Sequence, residues 1–170
     1  KTIAVLASDG AAKKVRNNGY TVDSTDPTLT SVDVTMPTGE PPLHVILEFS
    51  ETLALSSYDA TGVTLQDTID GSGDSFTLTA QSTAAFVSGS TTTIDITVSG
   101  SDLASIKAKV GVGRSTTNTF VSLASKAIKD TSKNNGGNSV AVQPTSSAKT
   151  VDVHTADITY PTLDDFTLDF

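Results

Sequence analysis

The chain contains no cysteine and no tryptophan, a single methionine, and only 5% aromatic residues. Without cysteine there is no disulfide, no zinc–thiolate site and no thiol nucleophile. Charge is scarce as well, at 18% of residues, and anions dominate: 11 Lys and Arg against 19 Asp and Glu give a formal net charge of −8. An acidic balance argues against a nucleic-acid partner, whose phosphates require a basic surface. No apolar run approaches the length that spans a bilayer, and the apolar stretch within Lys1 to Ser8 is too short for a signal-peptide core followed by a cleavage site. What the chain has in abundance is 28 Thr and 21 Ser among 170 residues. Thr, Val and alternating patterns favour strands over helices, and this length suits one domain with a real core.

The alternation is clearest in Leu43–Ser50, where Leu43, Val45, Leu47 and Phe49 share one face and His44, Ile46, Glu48 and Ser50 the other. Val32–Met36 reads as a second strand, separated from it by the Pro/Gly cluster Pro37 to Pro42. Further strands are expected at Gly62–Gln66, Ser75–Ala80, Thr92–Val98, Asn118–Ala124, around Val140–Val142 and around Val151–Ile158. One short helix is expected from a cap at Ser101 or Asp102, with Leu103, Ile106 and Val110 on one face and Gly111 and Gly113 ending it. Short strands, frequent turns and one helix predict an all-β sandwich with Greek-key-like connections.

Two internal echoes stand out. Pro27 to Met36 is matched by Pro161 to Phe170, through Pro-Thr-Leu and the alternation after it; Thr2 to Ser8 is matched by Thr119 to Ser125, and Asn17-Asn18-Gly19 by Asn134-Asn135-Gly136. The offsets are 134 and 117 residues, so the stretch after Val140 is the longer one. This pattern leads to the expectation of an array or a polymer. Its units would be a terminal strand or tail at 1–25 resembling the end of a preceding repeat, a sandwich at 26–142, a connector at 143–160, and at 161–170 the first strand of a following repeat or a donor strand.

The order of motifs carries a resemblance. It runs through Asp26-Pro27-Thr28-Leu29, Leu47-Glu48-Phe49-Ser50-Glu51-Thr52-Leu53, Tyr58 to Gln66, Ser101 to Lys107, and Ala127-Ile128-Lys129-Asp130 with Asn134-Asn135-Gly136. Over roughly Asp26 to Val140 the chain resembles the immunoglobulin-like repeat of the surface-layer (SbsA) type. That resemblance implies an immunoglobulin-like sandwich with extended terminal strands, no shared catalytic residues, and an extracellular or cell-surface setting. It is also similar to subunits of extracellular fibrils that join by exchanging strands.

The leading expectation is therefore a structural subunit whose partners are other copies of itself. Its assembly strands would carry Thr2, Ile3, Val5 and Leu6 at one end and Leu163, Phe166, Leu168 and Phe170 at the other, since unpaired strand edges pair with other chains. The alternative is an adhesion or carbohydrate-binding module presenting loops such as Asp67 to Asp74. In that loop Asp67, Asp70 and Asp74 gather carboxylates of the kind calcium takes, but the spacing fits no EF-hand or nonapeptide repeat, and a solvated hairpin loop without metal or other cofactor is expected. O-linked glycans suit Thr91, Thr92, Thr93, Thr116, Thr117 and Thr145, and Pro41 and Pro42 if hydroxylated; Asn118 and Asn138 begin no N-glycosylation sequon. An enzyme is not expected. His44 and His154 read as surface residues, Asp164 and Asp165 point to opposite faces of a strand, and Gly111-Val112-Gly113 lacks the setting of a phosphate cradle.

Overall fold

A computed structural model describes residues 23–36, 42–132 and 136–156. The elements are β1 (Leu29–Thr35), β2 (His44–Phe49), β3 (Leu53–Ala54), β4 (Val63–Gln66), β5 (Ser75–Thr77), β6 (Thr83–Phe86), β7 (Thr93–Thr97), α1 (Gly100–Lys107), β8 (Phe120–Leu123), β9 (Lys129–Asp130), β10 (Lys149–Thr150) and β11 (Val153–Thr155). They form a five-stranded sheet in the order β11-β1-β2-β7-β6, a four-stranded sheet in the order β10-β8-β4-β5, and a two-stranded ribbon of β3 and β9. All pairings are antiparallel except that of β11 with β1. The fold is all-β and sandwich-like, with one short helix. No helix among the described residues is long and apolar enough to cross a membrane.

The period-2 patterns fold as read. Val45, Leu47 and Phe49 of β2 are buried while His44, Ile46 and Glu48 face outward. Val32 and Val34 of β1 and Ile94 and Ile96 of β7 join the same apolar face. Val63 and Leu65 of β4 and Val121 and Leu123 of β8 belong to the same buried cluster, so the two sheets share one core. At one end the core is closed by Leu103 and Ile106 of α1; at the other Leu53 and Ile128 close it, beside the β3–β9 ribbon.

Some boundaries differ from expectation. The helix is capped by Ser99, whose hydroxyl accepts from the Asp102 amide, and Val110 lies beyond the helix and is 79% exposed. The expected strand Ser75–Ala80 stops at Thr77, because Asp102 draws the next residues into a turn. Its carboxylate, 1% exposed, accepts from the Thr79 amide (2.9 Å), the Thr79 hydroxyl (2.9 Å) and the Ser82 hydroxyl (2.6 Å). That turn carries the chain from β5, an edge of one sheet, to β6, an edge of the other. Val140–Val142 forms no strand; Ser139 and Gln143 make isolated bridges to Lys129 and Leu123 instead.

Of the expected connector 143–160, β10 and β11 belong to the sandwich, while 157–160 lie outside the described residues. After β10 the chain crosses to the five-stranded sheet at Val151 and Asp152. Val151 is buried, the Asp152 amide donates to the Val32 carbonyl (2.7 Å), and the Asp152 carboxylate accepts from the Val32 amide and the Ser31 hydroxyl (both 3.1 Å). β11 then runs parallel to β1, with Asp33 beside Val153 and Thr35 beside Thr155.

Burial alone would raise the Asp102 carboxyl, but the hydrogen bonds from Ser82, Thr79 and Ser99 outweigh it and hold it below its ordinary value of 3.8. A depressed carboxyl adds stability above its unfolded value and loses it as the pH falls through the lower folded value. Asp102→Ala is expected to destabilise the fold by about 2 kcal/mol, since it orphans the buried Ser82 hydroxyl and frees the part-buried donors of Thr79. Urea denaturation at pH 7 measures this, and the difference from the native chain is expected to shrink in acid below about pH 4.

Candidate functional site

The functional surfaces lie at the two ends of the sandwich. β1 has seven residues, which at about 3.3 Å per residue separate its ends by roughly 20 Å. The chain approaches the sandwich at one end, here the proximal pole, beside the start of β1 and the end of β2. The parallel β11 finishes at the other, the distal pole, beside the end of β1 and the start of β2.

At the proximal pole the Thr28 amide donates to the Ser50 hydroxyl and the Ser50 amide to the Thr28 carbonyl, each at 3.0 Å. This double tie sets the segment before β1 against Glu51. The Thr131 amide donates to the Thr52 carbonyl (3.2 Å), and Leu53 pairs with Asp130. Asp23, Glu51 and Asp130 thereby bring one carboxylate oxygen each to within 4.8 Å of one another, the one such acidic group among the described residues. Hard oxygen ligands at this spacing are what a calcium ion takes. Asp130, however, is buried and already accepts from the Ser132 amide, the Asn138 amide and Asn138 Nδ2, all at 2.8 Å, so it holds its own turn together. Glu51 carries the electrostatic cost. Desolvation, then the charges of Asp23, Asp130 and Asp26, push its carboxyl above the ordinary value of 4.5.

The distal pole has the opposite character. A cleft of about 290 Å³ opens there between Met36, Leu43, Ile106 and Val112. Lys107, Lys109 and Arg114 stand at its rim, no carboxylate of the described residues lines it, and Ala156, just past β11, lies on its wall. His154 is half-buried in the same wall. Its Nε2 lies 2.9 Å from the Gly113 carbonyl, which can only accept, so the ring donates from Nε2. Lys109 lies 3.8 Å from Asp74; Arg114 is exposed.

The other expected site residues are scattered. Asp67, Asp70 and Asp74 do not converge. Asp70 accepts from the Ser72 amide and hydroxyl (3.0 and 2.7 Å), which lowers its carboxyl, Asp74 faces Lys109, and Asp67 fits between Gly73 and Gly111, where a Cβ would strike its oxygens. Within the loop the Ser72 and Gly73 amides are bonded to Asp70 and Thr68 side chains, whereas Asp67 Oδ1 is buried without a hydrogen bond among the described residues. His44 Nδ1 is paired with Asp95 at 2.8 Å on the outer face. Thr91, Thr117 and Thr145 are exposed, whereas Thr92, Thr93 and Thr116 are half-buried; Thr92 and Thr93 bond to Ser90. Pro42 is half-buried. Pro41 and the expected assembly residues Thr2, Ile3, Val5, Leu6, Leu163, Phe166, Leu168 and Phe170 lie outside the described residues. The acidic group and the basic cleft were not read from the sequence, because each draws on stretches far apart in the chain and no local motif marks them.

Comparison with protein-family models, with curated proteins and with solved structures finds no match to this chain.

Replacing Glu51 by Gln is expected to relieve the repulsion. The carboxyl is raised in the fold, so its cost appears as the pH rises through the folded value and is absent below the unfolded one. At this partly exposed site the gain is roughly 1–3 °C in Tm at pH 7, vanishing at about pH 4. Thermal melts of both chains at the two pH values check it; no rise at pH 7 contradicts it.

Proposed function

We propose that this protein is a structural subunit of an extracellular fibril or pilus-like filament, assembled head to tail through its terminal strands, on a sandwich of the immunoglobulin type. The observation that carries the reading is the parallel pair of β1 and β11. Because the two strands run the same way side by side, β1 begins at the proximal pole and β11, the last described strand, ends at the distal pole. A unit threaded from pole to pole passes the chain on in one direction, which is the geometry of a linear array.

Strand order supports the immunoglobulin type. β1-β2-β7-β6 corresponds to the A-B-E-D sheet of that fold, and β10-β8-β4 to G-F-C, with β5 as an added edge. The echoes also fit. Residues 161–170 repeat the pattern of β1, and residues 2–8 that of β8; β1 lies between β11 and β2, and β8 between β10 and β4. A segment with either pattern needs neighbours on both edges, and a second sandwich supplies them. The extracellular setting follows from the resemblance to surface-layer repeats.

Negative-stain microscopy of the purified chain, with and without residues 161–170, tests the reading. The full chain is expected to give filaments of uniform width, and the shortened chain single particles. Identical assembly by both removes this segment as the connector, and single particles from both at high concentration remove the filament.

A further inference from the structure

We propose that β6 is a pairing edge, at which two copies of this chain join antiparallel across a two-fold axis and merge their five-stranded sheets into one. The inference goes beyond the fibril reading and does not rest on it: the contact lies on the flank of the sandwich, away from both poles.

The ladder determines which backbone groups of β6 are free. β6 lies beside β7 with Thr83 opposite Thr97, Ala84 opposite Ile96, Ala85 opposite Asp95 and Phe86 opposite Ile94. The Val87 amide donates to the Thr93 carbonyl (3.1 Å). On the other side of β7 the Phe49 amide donates to the Thr92 carbonyl and the Val98 amide to the Leu43 carbonyl (both 2.9 Å). Bonded pairs alternate along an antiparallel ladder, so the odd-numbered residues of β7 bond to β6 and the even-numbered ones to β2. Thr83 and Ala85 therefore direct their amides and carbonyls to β7, and Ala84 and Phe86 turn theirs away from the sheet. β6 is the end strand, and among the described residues nothing bonds to these four groups.

The edge is also unguarded. Exposed edges are commonly blunted by charge, proline or a bulge. Residues 75–94, however, are 20 in a row without Asp, Glu, Lys, Arg, His or Pro, the longest such stretch in the chain, and the β6–β7 register carries no shift. Charge selects the occupant. A two-fold contact sets each surface against itself, so a charged edge would repel its twin. In a chain of net charge −8, this edge brings no like charges together; Asp95, one strand further in, faces His44 (2.8 Å). With Ala85 on the axis, Ala84 of each copy opposes Phe86 of the other, and four hydrogen bonds use every free group on both strands. Ala85 meets Ala85 at a close position between bonded pairs, which small side chains suit. A recess of about 290 Å³, walled by Leu55, Tyr58, Ala60 and Ala80, opens beside Ala84, and the opposing Phe86 brings a partly buried ring towards it. Asp59, on the same wall, faces Lys126 (3.7 Å).

Cysteine, absent from the chain, tests the pairing in the full protein. Ala85 is exposed, and in the pair its two copies lie about 4.5 Å apart between Cα atoms, within reach of a disulfide. Under mild oxidation Ala85→Cys is expected to form a linked dimer about 10-fold or more faster than Ser125→Cys, an exposed control, because the two thiols are held together before they react. Ala85→Lys sets two ammonium groups directly opposite each other. By negative-stain microscopy it is expected to turn side-by-side pairs of particles or filaments into single ones, and melting curves confirm that each variant folds. Equal crosslinking rates for the two cysteine variants overturn the pairing and leave the fibril reading standing. Fast crosslinking at Ala85 in a chain that forms no filaments supports the pairing and overturns the fibril reading alone. Loss of filaments as well as pairs in Ala85→Lys means that a terminal strand of another copy occupies β6, and overturns the two-fold contact.

Discussion

The crossing at Val151 and Asp152 is the constraint on which the rest of the molecule depends. At Lys149–Thr150 the chain lies in the four-stranded sheet; at Val153–Thr155 it lies in the five-stranded one. The crossing is made firm by burial of Val151 and by three hydrogen bonds between Asp152 and Ser31 or Val32. It closes one flank of the sandwich, as the Thr79–Ser82 turn around Asp102 closes the other. It also fixes the direction of β11 relative to β1, and hence the pole at which β11 ends. Had β11 run antiparallel to β1, the chain would leave where it arrives, and a unit of that kind would form side branches or closed pairs more readily than a line.

The polarity of the chain path is matched by a polarity of surface. Among the described residues carboxylates gather at the proximal pole, and Lys107, Lys109 and Arg114 stand around the cleft at the distal one. Asp130 supports folding by holding its own turn, while Glu51 opposes it, held among like charges.

The sequence made legible what depends on local pattern. The alternation in Leu43–Ser50 and Thr92–Val98 foretold β2 and β7 with the right faces inward, and Leu103 and Ile106 foretold the buried side of α1. What escaped depends on distant partners. The β3–β9 ribbon is two residues on each side, too short for any period. β6 was missed because its Ala-rich stretch Thr83–Phe86 has a weak strand signature, and its pairing with β7 decides it. The helix cap fell to Ser99 instead of Ser101 or Asp102 because Asp102 is engaged by Thr79 and Ser82, some twenty residues back. The poles were illegible for the same reason: Asp23, Glu51 and Asp130 meet only when β1, β2 and β9 are in place.

The absence of cysteine makes one measurement especially direct. A spin label on a cysteine introduced at Thr25 marks the proximal pole, and one at Ala108, exposed at the end of α1, marks the distal pole. Pulsed dipolar spectroscopy on assemblies of singly labelled chains then reports which poles touch. The account predicts short distances when Thr25-labelled and Ala108-labelled chains are mixed, and none that short among chains carrying the same label. Short distances between two Thr25 labels or two Ala108 labels would mean that like poles meet, and would contradict a head-to-tail subunit.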